Sequence, residues 1–180
     1  MCNAKRAIGK LTCIFLFMSI MSCVSTRSYK AVEGPIEFQN YKKIKLAIQD
    51  DVNTPYSIEG LPMFEGLLKG KLKSLGFQNV DIDEDIVIEI NITAFKPGSA
   101  AARFFVGFGA GRAVFIYTAN FKENNGKLLT TLEGGKSYHG MEFADNPLYK
   151  TDEELRMGMI QQAVIQIGDF IKNKGGLEAQ

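Results

Sequence analysis

Along residues 86–93 the chain alternates without a slip, Ile86, Ile88, Ile90 and Ile92 against Val87, Glu89, Asn91 and Thr93. A period of two makes a strand with one dry and one wet face, as antiparallel sheets favour. Pro97-Gly98 closes it. Ile44, Leu46 and Ile48 interleave with Lys43, Lys45 and Ala47 in the same manner, and Phe115, Tyr117, Ala119 and Phe121 with Ile116, Thr118 and Asn120. A fourth run, Leu128 to Glu133, follows the turn KENNGK. Asn125-Gly126 marks that turn as a hairpin, because both residue types accept positive φ.

The period changes to 3.6 in two places. After the turn-rich stretch DDVNTPYSIEGLP, Pro62 predicts the first turn of a helix, where its missing N–H is not needed. Phe64, Leu67, Leu68, Leu72 and Leu75 follow at helical spacing, and Gly76 suits the C-terminal cap. Gly66 and Gly70 each cost about 1 kcal/mol against alanine, which close packing on a sheet would explain. The second helix is announced by a capping box, Thr151 with Glu154. Ile160, Ala163, Val164, Ile167, Phe170 and Ile171 form its apolar stripe; Lys172, Lys174 and Gly175 end it. The pattern therefore predicts an α+β fold in the order β-α-β-β-β-α. Its sheet is mostly antiparallel, of about four strands, with two helices packed on one face.

The N-terminus has a different pattern. Lys5, Arg6 and Lys10 precede an apolar run, LTCIFLFMSIM, with no acidic residue before it. A basic start and an apolar run of about 7–15 residues are the layout of a secretory signal peptide. The run falls short of the roughly 20 residues a spanning helix needs. Ile20-Met21-Ser22-Cys23 then resembles the lipobox of bacterial lipoproteins. The resemblance implies cleavage before Cys23 and acylation of Cys23 with diacylglyceryl and a further acyl chain such as palmitate. Val24 in place of aspartate then favours the outer membrane, facing the periplasm. An ordinary cleaved signal with a leftover thiol is the plainer alternative. The expected organisation is a signal peptide over 1–22, an acylated cysteine and tether over 23–41, one domain over 42–174 and a tail over 175–180. Of the three cysteines, Cys2 and Cys13 fall in the signal, so the mature domain keeps no thiol for a disulfide or a metal.

Charge narrows the function classes. Once the signal's three basic residues are removed from 21, 18 stand against 20 acidic ones, a net of about −2. Nucleic-acid binding calls for a basic excess or stripe, and neither is present. A mature chain of 158 residues is enough for one domain with a real core. Candidate chemistry is thin. His139 is the one histidine, so a histidine-assisted nucleophile has a single candidate and no cysteine partner. The acids of DIDED (Asp81, Asp83, Glu84, Asp85) lack the glycine and closing glutamate of a calcium loop and read as a solvated turn. No catalytic set, metal site or cofactor motif emerges, and the expectation is a non-enzymatic protein.

The segment RFFVGFGAGR, Arg103 to Arg112, is the most unusual stretch. A dinucleotide loop needs Gly-x-Gly-x-x-Gly leading into a helix; here Gly107, Gly109 and Gly111 lead into a strand. No Gly-Lys-Ser/Thr closes it as a phosphate loop. Three readings stay open: a bend whose phenylalanines fill the core, a contact with a partner or second copy, and a contact with lipid or a small ligand. Arg103, Phe105, Gly107, Phe108, Gly109, Gly111 and Arg112 are its candidate interaction residues.

Those residues carry a further resemblance. Gly98, Arg103, Gly107, Phe108, Gly109, Ala110, Gly111 and Gly126 match the pattern of the bacterial lipoprotein family known as domain of unknown function 4410. The resemblance implies an envelope lipoprotein with a small α+β domain over about residues 42–174, and no established activity. It leaves a structural or protein-interaction role, with an auxiliary part in an envelope transport or secretion assembly, or a small-ligand or lipid-binding module, as alternatives.

Overall fold

The structure, a computed structural model, describes residues 28–31, 36–98, 113–138 and 151–173. Its elements are β1 (Ser28–Ala31), β2 (Lys43–Asp50), α1 (Pro55–Ser74), β3 (Gln78–Asn79), β4 (Ile86–Lys96), β5 (Ala113–Glu123), β6 (Leu128–Tyr138) and α2 (Asp152–Lys172). They build one sheet in the order β1-β6-β5-β4-β2-β3. The four long strands and two helices follow the predicted α+β order. β1 and β3, of four and two residues, are additions at the two edges, too short for any period to register.

Three of the five strand pairings are antiparallel: β4 with β5, β5 with β6, and β1 with β6. β2 lies parallel to β4, Ile44 opposite Ile86 and Asp50 opposite Ile92. A strand, a helix and a second strand in one sheet return the chain to its starting end, so a parallel pair follows from the crossover through α1.

The alternation sorts as the sequence predicts. Ile86, Ile88, Ile90 and Ile92 are buried with Phe115, Tyr117, Ala119 and Phe121, and both helices contribute to the same core. From α2 come Leu155, Met159, Ile160, Ala163, Val164, Ile167, Phe170 and Ile171. The other face keeps polar residues in register: Lys122 pairs with Glu89 at 2.5 Å, and the Thr131 hydroxyl donates to Asn120 Oδ1 at 2.8 Å.

Four local expectations are corrected. The first helix starts at Pro55, seven residues before Pro62, because Thr54 and Ser57 form a capping box and Pro55 opens the helix. Pro62 sits inside, on the exposed side, where water can take the carbonyl that its missing N–H leaves unbonded. Gly66 and Gly70 do not pack on the sheet, since a Cβ at either would meet nothing within 4 Å. At the hairpin only Gly126 has positive φ, +87°, and its N–H bonds to Glu123. Asn124 and Asn125 form the turn and Gly126 the left-handed residue after it, the three-residue loop in which glycine avoids the Cβ clash. Finally, the stretch read as tether enters the fold early. β1 pairs with β6, and Ile36 and Phe38 are core residues, Phe38 edge-on to Phe121 at 5.2 Å.

Candidate functional site

Cys23, Arg103, Phe105, Gly107, Phe108, Gly109, Gly111, Arg112 and His139 lie outside the described residues. The structure nevertheless fixes where the glycine segment leaves and rejoins the sheet. Lys96 at the end of β4 stands opposite Val114 at the start of β5, and Gly98 turns away with φ +75°. A strand, not a helix, follows the segment. β6 ends at the same place, Tyr138 opposite Ala113, so the stretch toward α2 departs from this end too. Because β2 runs parallel to β4, α1 also begins here, and the Asp51 N–H bonds to the Ile92 carbonyl.

Under this end the described residues are tightly packed. Phe95 meets Phe115 at 4.6 Å and Tyr56 at 5.1 Å between ring centroids, both edge-on; Phe115 in turn meets Phe64 at 5.4 Å. Gly60 lets α1 come this close: a Cβ there would fall 2.4 Å from Phe95. Arg156 of α2 lies 5.1 Å over the Tyr56 ring and bonds to Glu59 at 2.7 Å, while the Tyr56 hydroxyl donates to the Asp152 carbonyl at 3.0 Å. Two capping boxes sit at this end, and Ser57 adds a 2.7 Å bond to Asp50, tying the start of α1 to the end of β2. The first turns of both helices are thus fixed to each other and to the sheet.

A buried polar node lies one layer below. The Gln166 side chain accepts from the Tyr117 hydroxyl and from the Gly135 N–H, and donates to the Gly135 carbonyl, each at 3.1 Å. Its amide satisfies both backbone groups of Gly135 as a neighbouring strand would. Gly134 makes room for the tyrosine, since a Cβ there would lie 2.4 Å from its hydroxyl. These residues escaped the sequence reading. The signal was Gly134-Gly135 in what proves to be the middle of a strand, where glycine marks a close approach.

The acidic cluster lies at the opposite end. Asp85 accepts from the backbone N–H groups of Lys43 at 2.8 Å and Lys42 at 2.7 Å, and those bonds hold its carboxyl below the ordinary value. Asp83 pairs with Lys43, whose ammonium is raised chiefly by that bond, and Glu84 lies 3.9 Å from Lys45. The cluster fastens the start of β4 to β2. Among the described residues no three His, Cys, Asp or Glu stand together in a way that could hold a metal, and no helix is long and apolar enough to cross a membrane.

Residues 68–141 match the family model described as Domain of unknown function (DUF4410). The family resemblance is borne out over that span, which runs from α1 through β6 and takes in the whole glycine segment. No curated protein matches the chain. Among solved structures, the chain is similar to a PelC dodecamer from Paraburkholderia phytofirmans, at 12% identity and TM-score 0.50 over 86% of this chain and 100% of that one. A point-substituted PelC dodecamer from the same organism gives 12% identity and TM-score 0.51 over 79% and 97%. A minor lipoprotein from Acinetobacter baumannii is similar at 17% identity, TM-score 0.39, over 74% and 94%.

Proposed function

We propose that this chain is a bacterial envelope lipoprotein, anchored by acylated Cys23, whose domain works by binding other proteins and not by catalysis. The observation that carries the reading is Ile20-Met21-Ser22-Cys23, which closes the apolar run that follows a basic start. Each buried acyl methylene adds about 0.8 kcal/mol of membrane affinity, so two or more chains hold a folded domain durably. The mature domain's freedom from cysteine suits an oxidising compartment, and Val24 favours the outer membrane with the domain in the periplasm.

An interaction role is supported by how the polar residues are used. Asp50, Ser57, Glu59, Asp85, Tyr117, Arg156 and Gln166 are engaged in holding elements together. The shared fold adds a second support, because both PelC structures are dodecamers. Self-association is the form of interaction we favour, and Arg103, Phe105, Gly107, Phe108, Gly109, Gly111 and Arg112 are candidates for that contact or, as the alternative reading of the same residues, for contact with lipid.

The test is fractionation of a Cys23→Ala form in a bacterial host. The wild-type chain pellets with membranes and carries the mass of its acyl chains; the Cys23→Ala form moves to the soluble fraction. A Cys23→Ala form that still pelleted would overturn the anchor. Light scattering on the detergent-solubilised protein tests assembly, and a monomer at all concentrations would overturn the self-association reading.

A further inference from the structure

We infer that the domain stands end-on to the bilayer, with the sheet end marked by Lys96 and Gly98 toward the lipid headgroups. The inference rests on acylation of Cys23 as proposed above and adds a direction to it. Its basis is the pairing of β1. Ser28 lies opposite Glu133, which lies opposite Thr118, which lies opposite Asn91. One row across the sheet therefore fixes the height of Ser28, five positions along the chain from the cysteine that bears the lipid.

The direction of departure is fixed as well. β1 is antiparallel to β6, so from Ala31 back to Ser28 the chain advances toward the Tyr138 end. Ser28 is five residue steps from Cys23, which span at most about 18 Å. Lys96 is five residues beyond Asn91 along β4, about 17 Å at the rise of an antiparallel strand. An outstretched tether thus brings the acylated cysteine level with the Lys96 end. Reaching the other end, where Ile86 pairs with Glu123 and the Asn124-Asn125 turn projects beyond, would require the chain to reverse within those same five residues. Too few residues would remain to regain the height of Asn91 and pass the turn. The bilayer is the partner because the lipid is attached on that side, and the tether is too short to let the domain turn over.

The arrangement can be measured on the intact acylated protein. Cys2 and Cys13 leave with the signal and Cys23 is blocked, so one introduced cysteine is the sole thiol. A fluorescent thiol label is placed at Lys96→Cys, Ala47→Cys or Asn124→Cys, all exposed positions, and the protein is reconstituted into phosphatidylethanolamine–phosphatidylglycerol vesicles containing a headgroup-nitroxide lipid. Quenching at position 96 is expected to exceed that at 124 by about threefold or more, since roughly 30 Å separates the two heights, with 47 between. Inserting about ten Gly/Ser residues between Thr26 and Arg27, some 35 Å of added reach, should level the three signals. Quenching at 124 equal to or above that at 96 in the unmodified tether overturns the inference, as does an identical value at all three positions. Failure of the anchor itself reads differently: the protein does not float with vesicles, Cys23 takes up label, and the acyl mass is missing. That result removes the inference together with the reading beneath it.

Discussion

Gln166→Leu isolates the buried polar node. The two side chains are close in volume, so the substitution leaves no cavity and acts through hydrogen bonds. Gln166 is fully buried and satisfies both backbone groups of Gly135 and the Tyr117 hydroxyl, each at 3.1 Å. Tyr117 keeps a longer contact to the Ala163 carbonyl at 3.5 Å, whereas both polar groups of Gly135 lose the partner that pairs them. A buried polar group left without a partner costs about 1–3 kcal/mol, so the pair costs about 2–6. The added apolar burial of leucine offsets about 1 kcal/mol. A net loss of about 3 kcal/mol is a large share of the 5–15 typical of a domain. It should lower Tm by about 6–12 °C at the 2–4 °C per kcal/mol usual for chains of this size.

Urea unfolding followed by circular dichroism, with wild type and variant in the same unacylated background, gives the difference with the m-value as a check on two-state behaviour. Tyr117→Phe sharpens the result. Alone it removes one bond worth about 1 kcal/mol. Combined with Gln166→Leu it should add almost nothing, because neighbours in one network are not additive. A Gln166→Leu variant within about 0.5 kcal/mol of wild type would refute the reasoning, for it would mean that water reaches Gly135 and the node is not desolvated.

Three further outcomes follow from particular contacts. Gly134→Ala should cost about 1–3 kcal/mol in the same urea assay, since the new methyl must displace the Tyr117 hydroxyl 2.4 Å away. Gly66→Ala should do the reverse, raising stability by about 0.5–1 kcal/mol, because an open helical position gains propensity without a clash. Asp85→Asn should flatten the acid limb of the stability curve. The N–H groups of Lys43 and Lys42 lower the folded-state pKa of Asp85 beneath its ordinary 3.8, so its contribution is complete above about 3.8 and is lost as pH falls through the lower folded value. Thermal unfolding from pH 6 to pH 2 reads this as a shallower loss in the variant, and identical slopes would exclude the carboxylate as the clamp on β2.

Most of the fold was legible because its signals are local. The isoleucines of β4, the aromatic alternation of β5 and the Thr151 capping box each specify an element within a dozen residues, and all three appear as read. What the pattern missed depends on distant partners. β1 exists because β6 offers it an edge, and no period shows in four residues. The start of α1 was hidden because Thr54-Pro55-Tyr56-Ser57 has the composition of a turn as well as of a helix start, and its capping box and the Ser57 bond to Asp50 show only in the folded backbone. The parallel pairing of β2 with β4 was implied by the β-α-β order but not by either strand's own residues. Of the candidate site, the sequence located the segment between two strands, and the structure adds which end of the sheet it leaves from.

The glycines show why residue type alone does not locate function. Gly60, Gly66 and Gly70 fall on one helix and look alike in the sequence, yet their surroundings differ completely. At Gly60 a Cβ would strike the Phe95 ring, fixed in the aromatic cluster, so glycine is required by packing. At Gly168 of α2 a Cβ would meet the Lys71 side chain, which can swing aside, so the restriction there is cheap. At Gly66 and Gly70 nothing lies within 4 Å, and each lowers helix stability by about 1 kcal/mol against alanine with no gain inside the domain. Packing therefore accounts for Gly60 and Gly134 but not for this pair. The same distinction governs the glycine segment: glycines required by the core make an alanine variant unstable as a monomer, whereas glycines kept for a contact leave the monomer intact and change what it binds.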